Sequence, residues 1–432
     1  MIKIGIIGSG FTGLATAYYL SNLKNSEITI LESEKNSGGL AKGFKMPEWE
    51  WYMDDLIHHW FTSDKDIFQL IKELGLEDKL IFKNTTSSCY YRGKTAELDS
   101  PLSLLKYPFL PLVSRIRMGL TAALLKLDKN YLKYEKYKAY KFLEMTMGKK
   151  GFEIVWKPLF IGKFGKYFKE INATWFWARL HFRTKELVYI EGGFQFLINV
   201  LTENIKKSGV KIVSNSLVNN IEKNGKKIAI KAKNRTYEFD IVVATMALPV
   251  FLDVTKDLPP DYIQKLRKLK IISSQYFVLE LEKPFLEKGI YWLNISEEKF
   301  PFMMVTEHTN FVDKMYYDNK HLIWVGKYLD EGDELWKFDE KKLLEKIIPY
   351  LKKINPEFEE SWIKRSFFKR YKYSQPIIEV NYSTKMPGIK TPIENLYMVN
   401  MFNIYPEDRG TNQAVALGKN VAELIKKSVR KI

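Results

Sequence analysis

The stretch from Met1 to Glu32 constrains this chain more than any other. A β-branched run at residues 2–7 leads into Gly8-Ser9-Gly10-Phe11-Thr12-Gly13, residues 12–23 are Ala/Leu-rich with helical character, and a second short strand at 28–32 ends on Glu32. Strand, glycine turn, helix and strand in that order make a βαβ unit. In such a unit Gly8 permits the tight turn, Gly10 lets backbone amides approach a pyrophosphate, and Gly13 and Ala17 let the helix pack closely on the strand. The anion rests on the helix N-terminus, where unpaired N–H groups and the dipole favour negative charge. Glu32, at the end of the strand that follows the helix, is placed to accept from ribose hydroxyls, and an acid there disfavours a 2′-phosphate. Ser9, Phe11, Thr12 and Ser33 are expected to complete this part of a dinucleotide site.

A second glycine-rich turn, Ser37-Gly38-Gly39-Leu40-Ala41-Lys42-Gly43, follows the acid. A nicotinamide site does not need it, whereas an extended FAD does. Together these residues resemble the FAD-dependent amine oxidase superfamily, which includes protoporphyrinogen oxidases and phytoene desaturases. The usual second motif there is Gly-Gly-Arg; here Leu40 takes the arginine's place, with Lys42 as the nearest substitute cation. The resemblance runs on. Glu191-Gly192-Gly193-Phe194 looks like the family's glycine pair before the return to the nucleotide domain. Residues 216–221 look like the strand whose valine backbone, here Val218, holds the adenine, and residues 240–245, ending on Thr245, look like the strand beneath the cofactor. The closing flavin motif matches residues 396–400 and Pro406-Glu407-Asp408-Arg409-Gly410-Thr411-Asn412-Gln413-Ala414, although the usual Ala-Gly after the strand is Asn400-Met401. The resemblance implies FAD as cofactor, held also by Gly38, Gly39, Leu40, Ala41, Asp408, Gly410, Thr411, Asn412 and Ala414. Independently of any family, a helix beginning near Thr411 would point N–H groups at a reduced flavin's negative edge.

The α/β pattern recurs at the start, middle and end of the chain, and no internal repeat is visible. The expected fold is α/β: a discontinuous Rossmann-like FAD-binding domain (1–90, 187–255 and 390–432), a basic helical insert (91–186) and a substrate domain of antiparallel sheet plus helices (256–389). Strands are expected at 273–281, 302–307 and 322–328, and helices at 194–207, 340–353 and 412–427.

Charge sharpens the picture. Residues 101–185 carry 18 Lys/Arg against five acids, +13 of the chain's formal +17. Such a region draws an anionic partner: a charged small-molecule or lipid-linked substrate, or an anionic membrane surface that its interleaved aromatics and aliphatics would enter. A lysine-rich solvated face is the plainer alternative, and no nucleic-acid recognition module accompanies the charge. The stretch 101–127 is broken by Lys106, Pro108, Pro111, Arg115 and Arg117, so it does not read as a spanning helix, and glycines break the N-terminal apolar run that mimics a signal peptide. A single cysteine, Cys89, excludes an intramolecular disulfide and multi-cysteine metal sites, which points to a cytoplasmic home, at the membrane periphery if the insert meets lipid. Nothing in the sequence sets an oligomeric state.

Catalytic candidates are His58 and His59, which mix with acids and aromatics, and Glu307 and His308, polar residues ending an apolar strand. Adjacent histidines point to opposite sides of an element, so no metal site is expected. Lys327 reads as solvent-facing. The leading functional expectation is an FAD-dependent oxidoreductase that abstracts hydride from an apolar or lipid-like, anion-bearing substrate. A UDP-galactopyranose mutase-like isomerase and a non-catalytic flavoprotein stay open.

Overall fold

The structure, a computed structural model, describes residues 1–429. Ile241–Ala244 is buried along its whole length and Ile2–Ile7 over its last four residues, the pattern of strands covered on both faces of a parallel sheet. They lie together at the centre of a five-stranded sheet that runs Lys211–Val213, Ser26–Leu31, Ile2–Ile7, Ile241–Ala244, Leu396–Met398, with every pair parallel. Its strands come from the beginning, middle and end of the chain, so the nucleotide-type domain is discontinuous. The helices Phe11–Leu20, Phe194–Lys207 and Thr411–Val429 belong to this unit. A three-stranded antiparallel meander, Val218–Asn224, Lys227–Ala232 and Arg235–Phe239, packs its apolar side onto a second core with Phe251 and Leu252.

The second sheet has seven strands in the order Ile363–Pro376, Ile271–Leu281, His321–Leu329, Met304–Glu307, Ile290–Ile295, Thr86–Tyr91, Lys94–Glu97. All its pairs are antiparallel except Ile290–Ile295 with Thr86–Tyr91. Two features depart from the sequence pattern. The sheet takes in residues 86–97, across the boundary drawn at residue 90, because Thr86–Tyr91 finds its backbone partner in the distant strand Ile290–Ile295. The strand Ile363–Pro376 carries no apolar alternation in sequence; its basic and aromatic side chains sit half-exposed on the sheet edge, and its register against Ile271–Leu281 supplies the order.

The helical insert, including Leu112–Leu127, Ala139–Met147, Lys157–Phe164 and Ala173–His181, packs against the seven-stranded sheet through Lys157–Phe164. It has its own core, built on Phe160, Phe164, Trp175 and Phe176. Leu112–Leu127 turns Met118, Thr121 and Leu125 inward and leaves Leu112, Val113, Ile116, Leu120, Leu124 and Leu127 exposed. No helix among the described residues is long and apolar enough to cross a membrane.

Candidate functional site

The two glycine turns close on each other at the C-terminal edge of the parallel sheet. Gly8 and Gly38 have φ of +99° and +143°, a region that L side chains rarely adopt. A Cβ on Gly13 would fall 2.0 Å from the Gly8 carbonyl oxygen, so the first helix can start this near its strand only with glycine there. The Gly38 N–H donates to Ser9 O at 3.0 Å and ties the second turn to the first. Glu32, 7% exposed, ties the first turn to the residues that follow its own strand: its carboxylate accepts from Ser9 N (2.7 Å), Ser9 Oγ (2.6 Å), Glu34 N (2.8 Å) and Ser33 Oγ (3.0 Å). Four donors fill the acceptor sites of one carboxylate. A ribose hydroxyl would therefore exchange places with the Ser9 or Ser33 hydroxyl, the two partners free to rotate.

These turns line a cleft of about 420 Å³. Of the expected cofactor residues, Gly8, Ser9, Gly10, Phe11, Thr12, Glu32, Ser33, Gly38, Gly39, Leu40, Ala41, Thr245, Gly410, Thr411 and Ala414 are on its wall. The wall fits an elongated dinucleotide on the structure's own terms. Two glycine turns leave backbone bare, and Asn400, whose Oδ1 caps Phe402 N at 3.0 Å, has a buried Nδ2 with no protein partner. A bound acceptor group at the cleft would satisfy that donor.

Four expected residues lie off the wall, each for a reason visible in its contacts. Gly13 packs beneath Gly8. Val218 pairs with Ala232 in the meander and is buried in the second core. Asn412 Oδ1 accepts from Ile67 N at 3.0 Å, which fixes the last helix to the helix Lys65–Glu73, while Trp60 Nε1 donates to Thr411 Oγ1 at 2.7 Å. Asp408 accepts from Lys163 Nζ at 2.7 Å, Arg409 N at 3.0 Å and Gln375 Nε2 at 3.1 Å. Burial alone would raise its carboxyl, but Lys163, Arg409 and Gln375 hold it well below the usual carboxylate range. Lys42 does not replace the missing arginine, because its Nζ is paired with Glu34 at 2.7 Å.

The catalytic candidates separate. His58 lines the cleft; its Nδ1–H donates to Leu56 O at 2.8 Å, which leaves the lone pair on Nε2. Burial, then the nearby Arg409, push it down to about 4, so the ring is neutral near pH 7. His59 turns the other way, its Nδ1 3.2 Å from the Tyr291 hydroxyl, and burial with Arg183 lowers it to about 3. Glu307 and His308 do not reach the cleft, which corrects their assignment. Glu307 is fully buried and accepts from Phe285 N, Leu286 N and His321 Nδ1, while His308 Nε2 meets the Tyr317 hydroxyl at 2.8 Å. A strand end looks polar in sequence whether it faces a pocket or knots a loop together, and here it does the latter. Lys327 is partly buried beside Asp333 at 3.7 Å rather than facing solvent.

Sequence reasoning missed Tyr371, Tyr373 and Arg409 on the cleft wall, and Met246, Met401, Ile404 and Leu417 as its apolar lining. Tyr371 and Tyr373 sit on the strand that has no alternation to betray it. Arg409 was within reach, since it lies inside the closing motif.

Residues 11–426 match the family described as flavin containing amine oxidoreductase. A 130-residue stretch is 31% identical to the mitochondrial protoporphyrinogen oxidase of Nicotiana tabacum, covering 29% of this chain and 25% of that enzyme. The matches to curated relatives of this kind thus span about a quarter of their length. Among solved structures, a putative protoporphyrinogen oxidase from Exiguobacterium sp. 255-15 superposes with a TM-score of 0.79 at 16% identity, covering 99% of each chain. A reduced UDP-galactopyranose mutase superposes with a TM-score of 0.75 at 16% identity, covering 98% of this chain and 94% of the other.

Proposed function

The chain belongs to the flavin-containing amine oxidoreductase family, whose members are FAD-dependent oxidoreductases, and on that premise we propose that it abstracts hydride from a C–H bond of an apolar or lipid-like organic substrate. When bound, FAD supplies the hydride acceptor. The glycine turns, Glu32, Ser33, Thr245, Asn400, Gly410, Thr411 and Ala414 would hold it. The observation that carries the substrate reading is the apolar and aromatic part of the cleft lining: Met246, Met401, Ile404, Leu417, Tyr371 and Tyr373 share the wall with a neutral His58. Apolar and aromatic walls exclude water from the reacting carbon. The free Nε2 lone pair of His58 can accept a hydrogen bond from the substrate and orient it.

The exposed leucine stripe of Leu112–Leu127 supports a lipid-like substrate drawn from an anionic membrane surface. Leu112, Ile116, Leu120 and Leu124 recur every fourth residue on one side of the helix, in the segment that carries most of the net charge. Apolar side chains and flanking lysines together suit the headgroup layer.

The test is anaerobic bleaching of the visible flavin bands by candidate isoprenoid, lipid-linked and amine pools, with no dithionite. Reduction by one of them is the expected result. The superposition on a reduced mutase favours the isomerase as the second reading, and turnover of a UDP-sugar only after chemical prereduction would establish that instead. Purified protein with no flavin absorbance overturns both.

A further inference from the structure

Tyr371, Lys372 and Tyr373 are consecutive in one strand, yet all three border the cleft. A regular strand sends neighbouring side chains to opposite faces. The ladder is interrupted at this point: Ile272 pairs with Gln375 and Ser274 with Tyr371, so Ser273 alone stands opposite Lys372, Tyr373 and Ser374. A bulge of this kind re-aims side chains. Its loosened carbonyls are tied down by hydroxyls, Ser273 Oγ donating to Lys372 O at 2.8 Å and Ser374 Oγ to Tyr371 O at 3.2 Å, with Ser274 Oγ 2.7 Å from Ser374 Oγ.

The partner of Tyr371 lies outside its own sheet. The Tyr371 hydroxyl donates to Asp55 Oδ2 at 2.6 Å, a contact between residues 316 positions apart. Asp55 is 4% exposed, and its own N–H donates to Lys42 O at 3.0 Å. Lys42 packs directly on Gly38, where a Cβ would fall 2.8 Å from Lys42 Cβ. Contacts therefore run without a break from Tyr371 through Asp55 and Lys42 to Gly38, from the edge strand of the seven-stranded sheet to the second glycine turn, and both ends border the cleft. Lys369 steadies the carboxylate, its Nζ 2.7 Å from Oδ1 as an ion pair outside hydrogen-bond alignment. Lys42 Nζ stands 6.0 Å from the Tyr371 ring centre. Burial, then the charge of Asp55, push the Tyr371 hydroxyl up, so it stays a donor near pH 7.

We infer that Asp55 is a positioning residue that fixes Tyr371 as a latch between the edge strand and the second glycine turn, so that the two walls hold the bound dinucleotide as one unit. Asp55 does not itself border the cleft and acts through Tyr371. A hydrogen bond from a hydroxyl to a carboxylate is roughly twice as strong as a neutral one, and parting the walls to release the cofactor breaks it. A ring held in one place also loses little freedom when the cofactor arrives. This rests on the cleft being the flavin site, and it adds the group that keeps the flavin in.

The experiment is the rate of FAD release from the flavin-loaded protein after dilution, followed by the emission of free flavin, with melting temperatures measured beside it. Tyr371→Phe removes one hydroxyl from a half-buried ring and should release FAD roughly tenfold faster, the scale of a lost charge-assisted hydrogen bond. Asp55→Ala should match it, and the double variant Asp55→Ala/Tyr371→Phe should be no faster than either single change, because both remove the same bond. Asp55→Asn keeps an acceptor oxygen for Tyr371 and should recover part of the loss. Should Asp55→Ala fail to fold, Tyr371→Phe decides alone. A lowered melting temperature with unchanged release in Tyr371→Phe, or additive acceleration in the double variant, overturns the latch while leaving the flavin reading intact. Wild-type protein that binds no flavin would instead defeat the underlying reading, and the latch with it.

Discussion

Gly418 of the last helix touches the backbone of the first: a Cβ on it would lie 2.7 Å from Thr12 O and 2.9 Å from Thr16 N. Thr12 borders the cleft, so this contact between the two ends of the chain sets how the closing helix approaches the glycine turn. Gly418→Ala forces backbone apart, and overpacking of this kind costs about 1–3 kcal/mol. A lowered urea midpoint together with reduced flavin content at purification is the expected result; an unchanged midpoint would show that the helices slide freely.

Glu32→Gln keeps one acceptor oxygen and replaces the other with an NH2 group, so either Ser9 N or Glu34 N loses its acceptor and faces a donor. Leaving a buried donor unpaired costs about 1–3 kcal/mol. The flavin-to-protein absorbance ratio should fall and the melting temperature should drop with it. Retention of wild-type flavin stoichiometry would mean that Glu32 organises nothing at the turns.

His308 is 1% exposed, and burial lowers it to about 3. The unfolded chain takes up a proton near pH 6.5 and the folded chain does not. The stability that this neutral ring contributes is therefore fully present above pH 6.5 and is lost as pH falls from there toward 3. From pH 7 to pH 5 the loss from this one residue is about 2 kcal/mol. His308→Gln can still bond the Tyr317 hydroxyl and does not titrate, so its unfolding free energy should fall less over that range than that of the wild type. Parallel pH profiles for the two proteins would count against the assignment.

Leu120 and Leu124 are 62% and 66% exposed and support little of the core. The double change Leu120→Asp/Leu124→Asp should leave stability within about 0.5 kcal/mol of wild type, as surface changes do. Co-sedimentation with phosphatidylglycerol vesicles should be lost, and the wild type should bind pure phosphatidylcholine vesicles more weakly. Equal sedimentation of variant and wild type would remove the stripe from any role at lipid.

The turn at 8–13, Glu32 and the second turn at 37–43 are legible in sequence because the βαβ unit is contiguous: one unbroken segment builds the geometry, and its glycines are required by local backbone conformation. The closing helix at Thr411–Val429 is legible for the same reason. Polarity alone could not separate His58 from Glu307 and His308, since the same residue types serve a cleft wall in one case and tie a loop in the other.

By itself, then, the sequence determined the nucleotide-type domain, its discontinuity and the concentration of positive charge in residues 101–185. Only the tertiary structure decided where that charge goes. Part of it lies on and beside Leu112–Leu127 with its exposed leucines, and Lys163 turns inward to pair with Asp408 from the far end of the chain. Local backbone preference writes a glycine turn into neighbouring residues. The pairing of Lys163 with Asp408 depends on packing between the helical insert and the closing motif, segments far apart in the chain, and spacing along the sequence carries no trace of it.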